Sequence, residues 1–253
     1  MISYEFPITE KVRTLLRLED LFARMAHFTE GDHSKDHHAA LCTLFELLEV
    51  VSRGDLKSEL LKELERQRRN LSALYDNPEI SENALNIILA EIDNASENML
   101  GVKAKTGQHL RENEWLMSIK QRTIMPGGTC EFDLPSYHYW QVQDIASRRE
   151  SIHTWMSPLL PVHSVIRIIL RLLRESGKTF QFTANQGAFQ QMQGGRTAQM
   201  LRVRLSSELA CIPEVAANKY AINIRFIAAN YSSKSILFEQ DVPFELTFCN
   251  ISS

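Results

Sequence analysis

The sequence contains little of what marks several common classes of protein. Its 253 residues include only 10 glycines, 8 prolines and 4 cysteines, while 44% are apolar and 23% are charged. This composition excludes collagen-like and disordered chains and predicts enough apolar surface for a buried core. No two cysteines form a CxxC pair, so we expect four reduced thiols and no disulfide framework.

Long hydrophobic runs and targeting signals are also missing. The longest apolar stretch, VIRIILRLL at 165–173, is interrupted by Arg167 and Arg171 and is far shorter than the ~20 residues that cross a bilayer. The N-terminus lacks the basic region and uncharged apolar region of a secretory signal. We therefore expect an intracellular protein that spans no membrane.

Sequence motifs of enzymes are absent as well. There is no GxGxxG, GxSxG or HExxH sequence, so acyl transfer and zinc-protease chemistry have no support. The GKT at 177–179 lacks the first glycine of a phosphate-binding loop, which is replaced by Leu172, and it leads out of a helix instead of into one. His33 and His37 are four residues apart, but no second ligand cluster accompanies them. We predict no catalytic residue, no metal and no cofactor.

The charge is distributed unevenly along the chain. Residues 1–100 hold 11 Lys and Arg against 19 Asp and Glu, whereas residues 101–253 hold 17 against 12. A basic part within one chain favours an acidic partner surface or peptide. Duplex nucleic acid is a poorer match, because the basic excess is modest and is reversed elsewhere.

The first part of the chain has the periodicity of helices. Apolar residues recur at three- and four-residue steps, and Asp55 and Ser81 are good N-caps. Gly54 and Gly101 are typical helix stops. The pattern predicts helices over about 9–28, 35–52, 55–74, 81–101, 107–122, 142–155 and 157–177.

Beyond Gly177 the period changes to two, which is typical of strands. Strands are predicted in KTFQFTA at 178–184, MLRVRLS at 200–206, YAINIRFIA at 220–228 and the region 236–249, and NQGAFQQMQGGR at 185–196 is predicted as a mobile connection. The N-terminal SYEFP and a short strand at 129–134 could join as sheet edges. The sequence therefore predicts an α+β fold: an all-helical domain over 1–177, carrying that short strand, followed by an antiparallel β-sheet or sandwich domain over 178–253.

Basic and aromatic residues form the candidate site. Guanidinium groups bind carboxylates and aromatic rings bury apolar anchors, so together they suit an acidic, hydrophobic peptide. Taken singly, each arginine is also typical of a solvated charge or a local salt bridge, and the aromatic SYHYW at 136–140 of core packing. On an extended segment His138 and Trp140 would point to the same side. The candidate residues are Arg13, Arg17, Arg53, Arg111, Arg122, His138, Trp140 and Arg225.

Several segments resemble a known family. They are EKVRTLLRLE at 10–19, SELLKELERQRRNL at 58–71, GQHLRE at 107–112, IKQR at 119–122 and above all MPGGTCEFDLPSYHYW at 125–140. These closely resemble the ZapD family of cell division proteins, which are FtsZ-associated proteins of proteobacteria. The resemblance extends over nearly the whole chain, and PGGTCEFDLP is its most specific part.

The resemblance implies a function. It implies a non-enzymatic homodimer in the cytoplasm at the midcell division site, which binds the C-terminal tail of FtsZ and bundles its filaments during Z-ring assembly and septation. That tail is short and mixes apolar and charged residues, acidic ones included, which agrees with the basic and aromatic candidate site. The alternative is a basic protein that binds single-stranded nucleic acid by stacking bases on a sheet face; the family resemblance itself predicts no nucleic-acid binding.

Overall fold

A computed structural model describes residues 1–52, 55–75, 77–78, 80–192, 198–218, 220–230 and 236–251. Most helices precede a set of antiparallel strands, which confirms the predicted α+β class. The chain divides into two compact units, a β unit of residues 1–16 with 170–253 and a helical unit of residues 17–169. The predicted domain boundary after residue 177 stays a prediction, because the compactness of a unit does not show that it folds independently.

The helices largely follow the predicted pattern. Their bounds are α1 Glu10–Glu30, α2 Ser34–Val51, α3 Leu56–Ser72, α4 Glu82–Gly101, α5 Gln108–Arg111, α6 Glu114–Thr123, α7 Pro135–Gln141, α8 Ile145–Met156 and α9 Leu160–Glu175, with a single 3₁₀ turn at Ser157–Leu159. The helix predicted over 107–122 is divided into α5 and α6. The division occurs because the Asn113 side chain accepts a hydrogen bond from the Leu116 amide at 3.0 Å and so caps a new helix.

The junction of α1, α2 and α8 is polar and buried. Arg148 Nε donates to His37 Nδ1 at 2.8 Å, so the other imidazole nitrogen carries the proton and donates to the Thr29 carbonyl at 3.3 Å. His33 caps α2 by accepting from the Lys35 amide at 3.1 Å. Both histidines therefore have structural partners, and within the described part of the chain no group of three or more potential metal ligands is found.

The strands form two sheets. They are β1 Ile2–Pro7, β2 Lys178–Ala184, β3 Ala188–Met192, β4 Met200–Leu205, β5 Cys211–Ala217, β6 Ala221–Ala228 and β7 Val242–Cys249. One sheet has the order β1-β4-β7-β2 and the other β3-β6-β5, and all their pairs are antiparallel. Alternate residues of both sheets share one core, in which the Phe226 and Phe244 rings lie 5.1 Å apart. The β unit is therefore a sandwich.

Three features differ from the sequence predictions. The predicted strand at 129–134 is wrong: the segment is a run of turns in which, for example, the Cys130 amide donates to the Gly127 carbonyl at 3.2 Å. In the segment predicted as a mobile connection, 185–196, Ala188–Met192 form β3 and residues 193–196 lie outside the described residues. The strand β5 was not predicted. The N-terminal SYEFP does form an edge strand, β1, beside β4.

One helical stretch meets the length and composition of a membrane span. Among the described residues it is Ile145–Glu175, and 56% of its most apolar window is buried within the protein. Length and composition alone do not distinguish such a stretch from a helix of a protein core. It is therefore weak support for a membrane span.

Candidate partner-binding site

A basic cleft surrounds the predicted site residue Arg111. Its volume is about 460 Å³, and it lies between the end of α2, the start of α3 and the segment that joins α4 to α5. Its charged lining consists of four cations, Lys57, Lys103, Lys105 and Arg111, and one carboxylate, Asp55. We call this recess the basic cleft.

The segment that carries two of these lysines is held in place. Lys57 donates from Nζ to the Val102 carbonyl, which ties α3 to the start of the segment. Gly107 closes the segment with φ of +75°, and a Cβ built there would lie 2.7 Å from Leu48 Cδ1. Only glycine combines this backbone conformation with so close an approach. The backbone at 103–105 is thus fixed at both ends.

Three cations of the basic cleft lack an ionic partner. Among the described residues, Lys103, Lys105 and Arg111 have no carboxylate within 4.0 Å, and all three are exposed. Other cations of the helical unit are neutralised, for example Arg24 by its 2.6 Å contact with Glu46. The basic cleft therefore presents uncompensated positive charge to solvent.

Arg17 lies in a neighbouring groove. This groove of about 330 Å³ has Leu21 and Val50 on its apolar side and also contains Asp20, Arg24, Glu46 and Glu49. Val50 lines this groove and Val51, the next residue of α2, lines the basic cleft. Both recesses thus reach the end of α2, one with Arg17 and the other with Arg111. Arg53 lies outside the described residues.

Two more of the predicted arginines, Arg13 on α1 and Arg225 on β6, belong to the β unit. Arg13 lines a cleft of about 340 Å³ with Asn223, and its Nε contacts Glu10 Oε2 at 3.1 Å. Arg225 follows two residues after Asn223 on the same exposed face of β6, where it is opposite Glu214 in the register of β5. Both are therefore available at the surface of one unit.

The segment between α6 and α7 displays an exposed phenylalanine. Arg122 contacts Asp133 at 3.8 Å, and His138 Nε2 lies 3.6 Å from Glu131 Oε2. Phe132 lies between these two acidic residues and is 79% exposed. An apolar ring that is held outward by flanking polar contacts is typical of an interaction surface.

His138 and Trp140 do not share a side as predicted. The segment is helix α7, in which residues two apart project about 200° from each other. His138 is exposed, whereas Trp140 is only 9% exposed. The expectation from an extended segment is therefore wrong, and of the two only His138 lies on the surface.

Trp140 belongs to a buried aromatic cluster. Its ring stacks on Tyr137 at 5.8 Å, and Trp115 and Trp155 pack against it with centroids at 6.0 and 5.9 Å. The Tyr137 hydroxyl lies 2.7 Å from His38 Nδ1, and burial raises the pKa of Tyr137 and lowers that of His38. The aromatic segment is thus divided: Tyr137 and Trp140 are core, while His138 and Tyr139 face solvent.

The sequence interpretation missed residues that the structure adds to the site. Lys57 and the pair Lys103 and Lys105 are distant in sequence and meet only after α3 and α4 have formed. The available signal was the short VKAK at 102–105, directly after a predicted helix stop. The exposure of Phe132 was hidden because its segment was interpreted as a strand.

The fold and these recesses define a class of protein. It is an α+β protein with uncompensated cations in open clefts, an arrangement suited to binding an anionic partner. Comparison with known proteins gives the family: the family model ZapD, described as a cell division protein, matches residues 16–225. The chain belongs to the ZapD family of cell division proteins.

Similar proteins cover nearly the whole chain. The cell division protein ZapD of Chromobacterium violaceum is 53% identical over 250 residues, which are 98% of this chain and 99% of that protein. The ZapD protein of Aromatoleum aromaticum is 53% identical over 251 residues, which are 99% of this chain and 98% of that protein. The ZapD protein of Azoarcus sp. is 52% identical over 251 residues, which are 99% of this chain and 100% of that protein. These names describe a role in cell division and are not names of enzymes.

Proposed function

We propose that this protein is a non-enzymatic cell division factor that binds the C-terminal tail of FtsZ and crosslinks FtsZ filaments as a homodimer. It would act in the cytoplasm at the midcell division site and promote Z-ring assembly there. The observation that carries the proposal is the basic cleft, in a chain that belongs to a family of cell division proteins.

The two recesses at the end of α2 suit such a ligand. A short peptide that mixes acidic and apolar residues needs cations without partners and some apolar surface close to them. Among the described residues Arg17 and Arg111 have no carboxylate within 4.0 Å and supply the first, and Leu21 and Val50 supply the second. Carboxylates bound by guanidinium groups gain charge-assisted hydrogen bonds, which are about twice as strong as neutral ones.

Two tail sites in one homodimer would explain crosslinking. Each site alone binds weakly, but once one tail is bound, the second site meets its own tail at a high effective concentration. Filaments present many tails, so a bivalent protein would hold neighbouring filaments together without any further contact between them.

Titration of the protein with a labelled synthetic FtsZ tail peptide tests the proposal. We expect saturable binding by fluorescence anisotropy and none with a scrambled peptide of the same composition. Replacing Arg17 or Arg111 by Glu should weaken binding by more than ~1 kcal/mol, because the reversal adds repulsion to the lost attraction. Equal affinity for the tail and the scrambled peptide would refute the proposal.

The alternative of a single-stranded nucleic-acid-binding protein makes a different prediction. It requires binding of any single strand with a steep loss of affinity on adding salt. A labelled oligothymidine in the same anisotropy experiment distinguishes the two, because a tail-binding protein needs one peptide sequence and has no requirement for a sugar-phosphate backbone.

A further inference from the structure

The basic cleft carries a more specific inference about how the partner is recognised. We propose that Lys103 and Lys105, together with Arg111, form an anion-binding subsite that binds the carboxylates of an acidic peptide segment. This inference rests on the proposed function and deepens it, since it assigns the acidic part of the tail to one recess and names two residues that the sequence interpretation did not include.

The electrostatics of the basic cleft favour an anionic ligand. The three cations lie in one recess and have no carboxylate within 4.0 Å among the described residues. Like charges brought together on a fixed backbone repel one another, and a bound anion relieves that repulsion. Asp55 is the single acidic residue in the described part of the lining, which therefore carries an excess of positive charge.

The backbone that carries two of these cations is preorganised. The segment with Lys103 and Lys105 is fixed by the bond from Lys57 to the Val102 carbonyl and by the close packing of Gly107 on Leu48. A ligand therefore meets cations whose backbone is already in place, and less conformational entropy is lost on binding.

The uncharged lining of the basic cleft also suits a peptide. Val51 and Leu56 supply apolar surface, and Ser52 and Thr106 supply hydroxyl groups. Among the described residues that line the basic cleft none is aromatic, whereas binding of single-stranded nucleic acid depends on aromatic rings for base stacking. The described lining therefore suits carboxylates with apolar neighbours, as in a peptide, better than a sugar-phosphate chain with bases.

A pair of double variants tests the subsite. The variant Lys103→Glu with Lys105→Glu reverses two cations in the basic cleft. Its control, Lys35→Glu with Lys62→Glu, makes the same change of net charge at two exposed lysines of the helical unit that do not line the cleft. We expect the first to weaken tail binding by about tenfold or more, and the control by less than about threefold.

A second peptide identifies what the lysines bind. It is the same tail with its acidic residues replaced by Asn or Gln. The unaltered protein should bind this neutral peptide more weakly than the tail, whereas the Lys103→Glu and Lys105→Glu variant should bind the neutral peptide at least as well as the tail, because the reversed charges repel acidic residues. Such loss of the preference for the tail is the coupling expected of groups in direct contact.

The outcomes separate the two proposals. If the unaltered protein does not bind the tail, the proposed function fails and the subsite fails with it. If it binds the tail but the cleft variant binds equally well, the function stands and the subsite is refuted. A cleft variant that loses oligothymidine binding while retaining the tail would also overturn it. Should the charge reversal prevent folding, as judged by circular dichroism, Lys103→Gln with Lys105→Gln takes its place with the same expected direction.

Discussion

At the scale of single residues, the aromatic segment at 136–140 separates stability from binding. Tyr137 and Trp140 are packed among other rings, while His138 and Tyr139 are exposed. Neighbouring residues in one short helix therefore have different roles, and substitutions should distinguish them.

Trp140 should be the stability residue of this segment. Trp140→Ala removes a large buried ring and should lower the free energy of unfolding by about 3–5 kcal/mol. Trp140→Phe keeps one aromatic ring in the cluster and loses the rest of the indole, whose N–H has no acceptor among the described residues, so it should cost clearly less than alanine. Urea denaturation followed by tryptophan fluorescence or circular dichroism measures both, and equal losses would contradict the core assignment.

His138→Ala should change the free energy of unfolding by no more than about 0.5 kcal/mol, because the side chain is exposed. In the peptide titration it should weaken tail binding if His138 contacts the ligand. A variant that unfolds but retains normal affinity in its folded fraction would make the residue structural and leave the arginines and lysines as the site.

Buried His37 should make stability sensitive to acid. Burial and the neighbouring Arg148 charge lower the pKa of His37 below its usual 6.5. Protonation of His37 is therefore less favourable in the folded protein than in the unfolded chain. The contribution of neutral His37 to the free energy of unfolding is complete above pH 6.5 and is lost as the pH falls through the folded-state pKa. One such proton contributes a slope of at most ~1.4 kcal/mol per pH unit.

Denaturation at a series of pH values between 5 and 8 tests this expectation. His37→Gln retains an acceptor for Arg148 and a donor for Thr29 but does not titrate, so its stability should fall less steeply with acid. Some slope should remain, because burial also lowers the pKa of His38 and His163. His153→Gln, at an exposed position, is the control; identical slopes for all three proteins would exclude His37 as a source.

At the scale of elements, two glycines with similar backbones make a matched comparison. Gly107 and Gly127 have φ of +75° and +71°, but a Cβ on Gly107 would meet Leu48 at 2.7 Å while one on Gly127 has nothing within 4 Å. Gly127→Ala should cost only the backbone term of about 1–2 kcal/mol. Gly107→Ala should cost more, since Leu48 is buried and must move.

Chemical denaturation of the two glycine variants gives the difference in stability, and the tail titration gives a second readout. Because Gly107 closes the segment with Lys103 and Lys105, its variant should also bind the tail more weakly, whereas the turn at Gly127 lies outside the basic cleft. Equal stability and equal affinity of the two variants would contradict the role assigned to this packing.

The long elements were predictable from the sequence, and the reasons lie in particular residues. α1 to α4 have sustained helical periodicity, so their ends were predicted within a few residues. β5 was missed because Pro213 interrupts the strand pattern, and proline is tolerated there since β5 is at the edge of its sheet. The segment 129–134 alternates like a strand, but it is too short to overrule the turns that follow Pro126.

The candidate site was less predictable than the fold. Arginines that lie on helix faces can be recognised individually, but their ionic partners cannot, because pairs such as Arg24 and Glu46 depend on helix packing. The basic cleft combines residues from three separate segments, and no local pattern in the sequence indicates that they meet.

At the scale of the whole molecule, crosslinking requires two tail sites in one particle. Light scattering should therefore report about 58 kDa at micromolar concentration, twice the 29.0 kDa chain. Sedimentation of FtsZ filaments should show bundling with this species and much less with a variant that binds the tail but is monomeric. A monomeric protein that nevertheless bundles filaments would exclude the proposed mechanism.

The edge strand β1 also has a consequence for the time course of synthesis. Its residues 2–7 pair with residues 200–205 of β4, and Glu5 contacts Arg174 at 2.8 Å. The first strand to leave the ribosome therefore has no partner until about four-fifths of the chain has been translated, whereas every residue of the helical unit has already emerged. Ribosome-bound chains that end before β4 should accordingly be cleaved by protease near their N-terminus while α2 to α8 are protected.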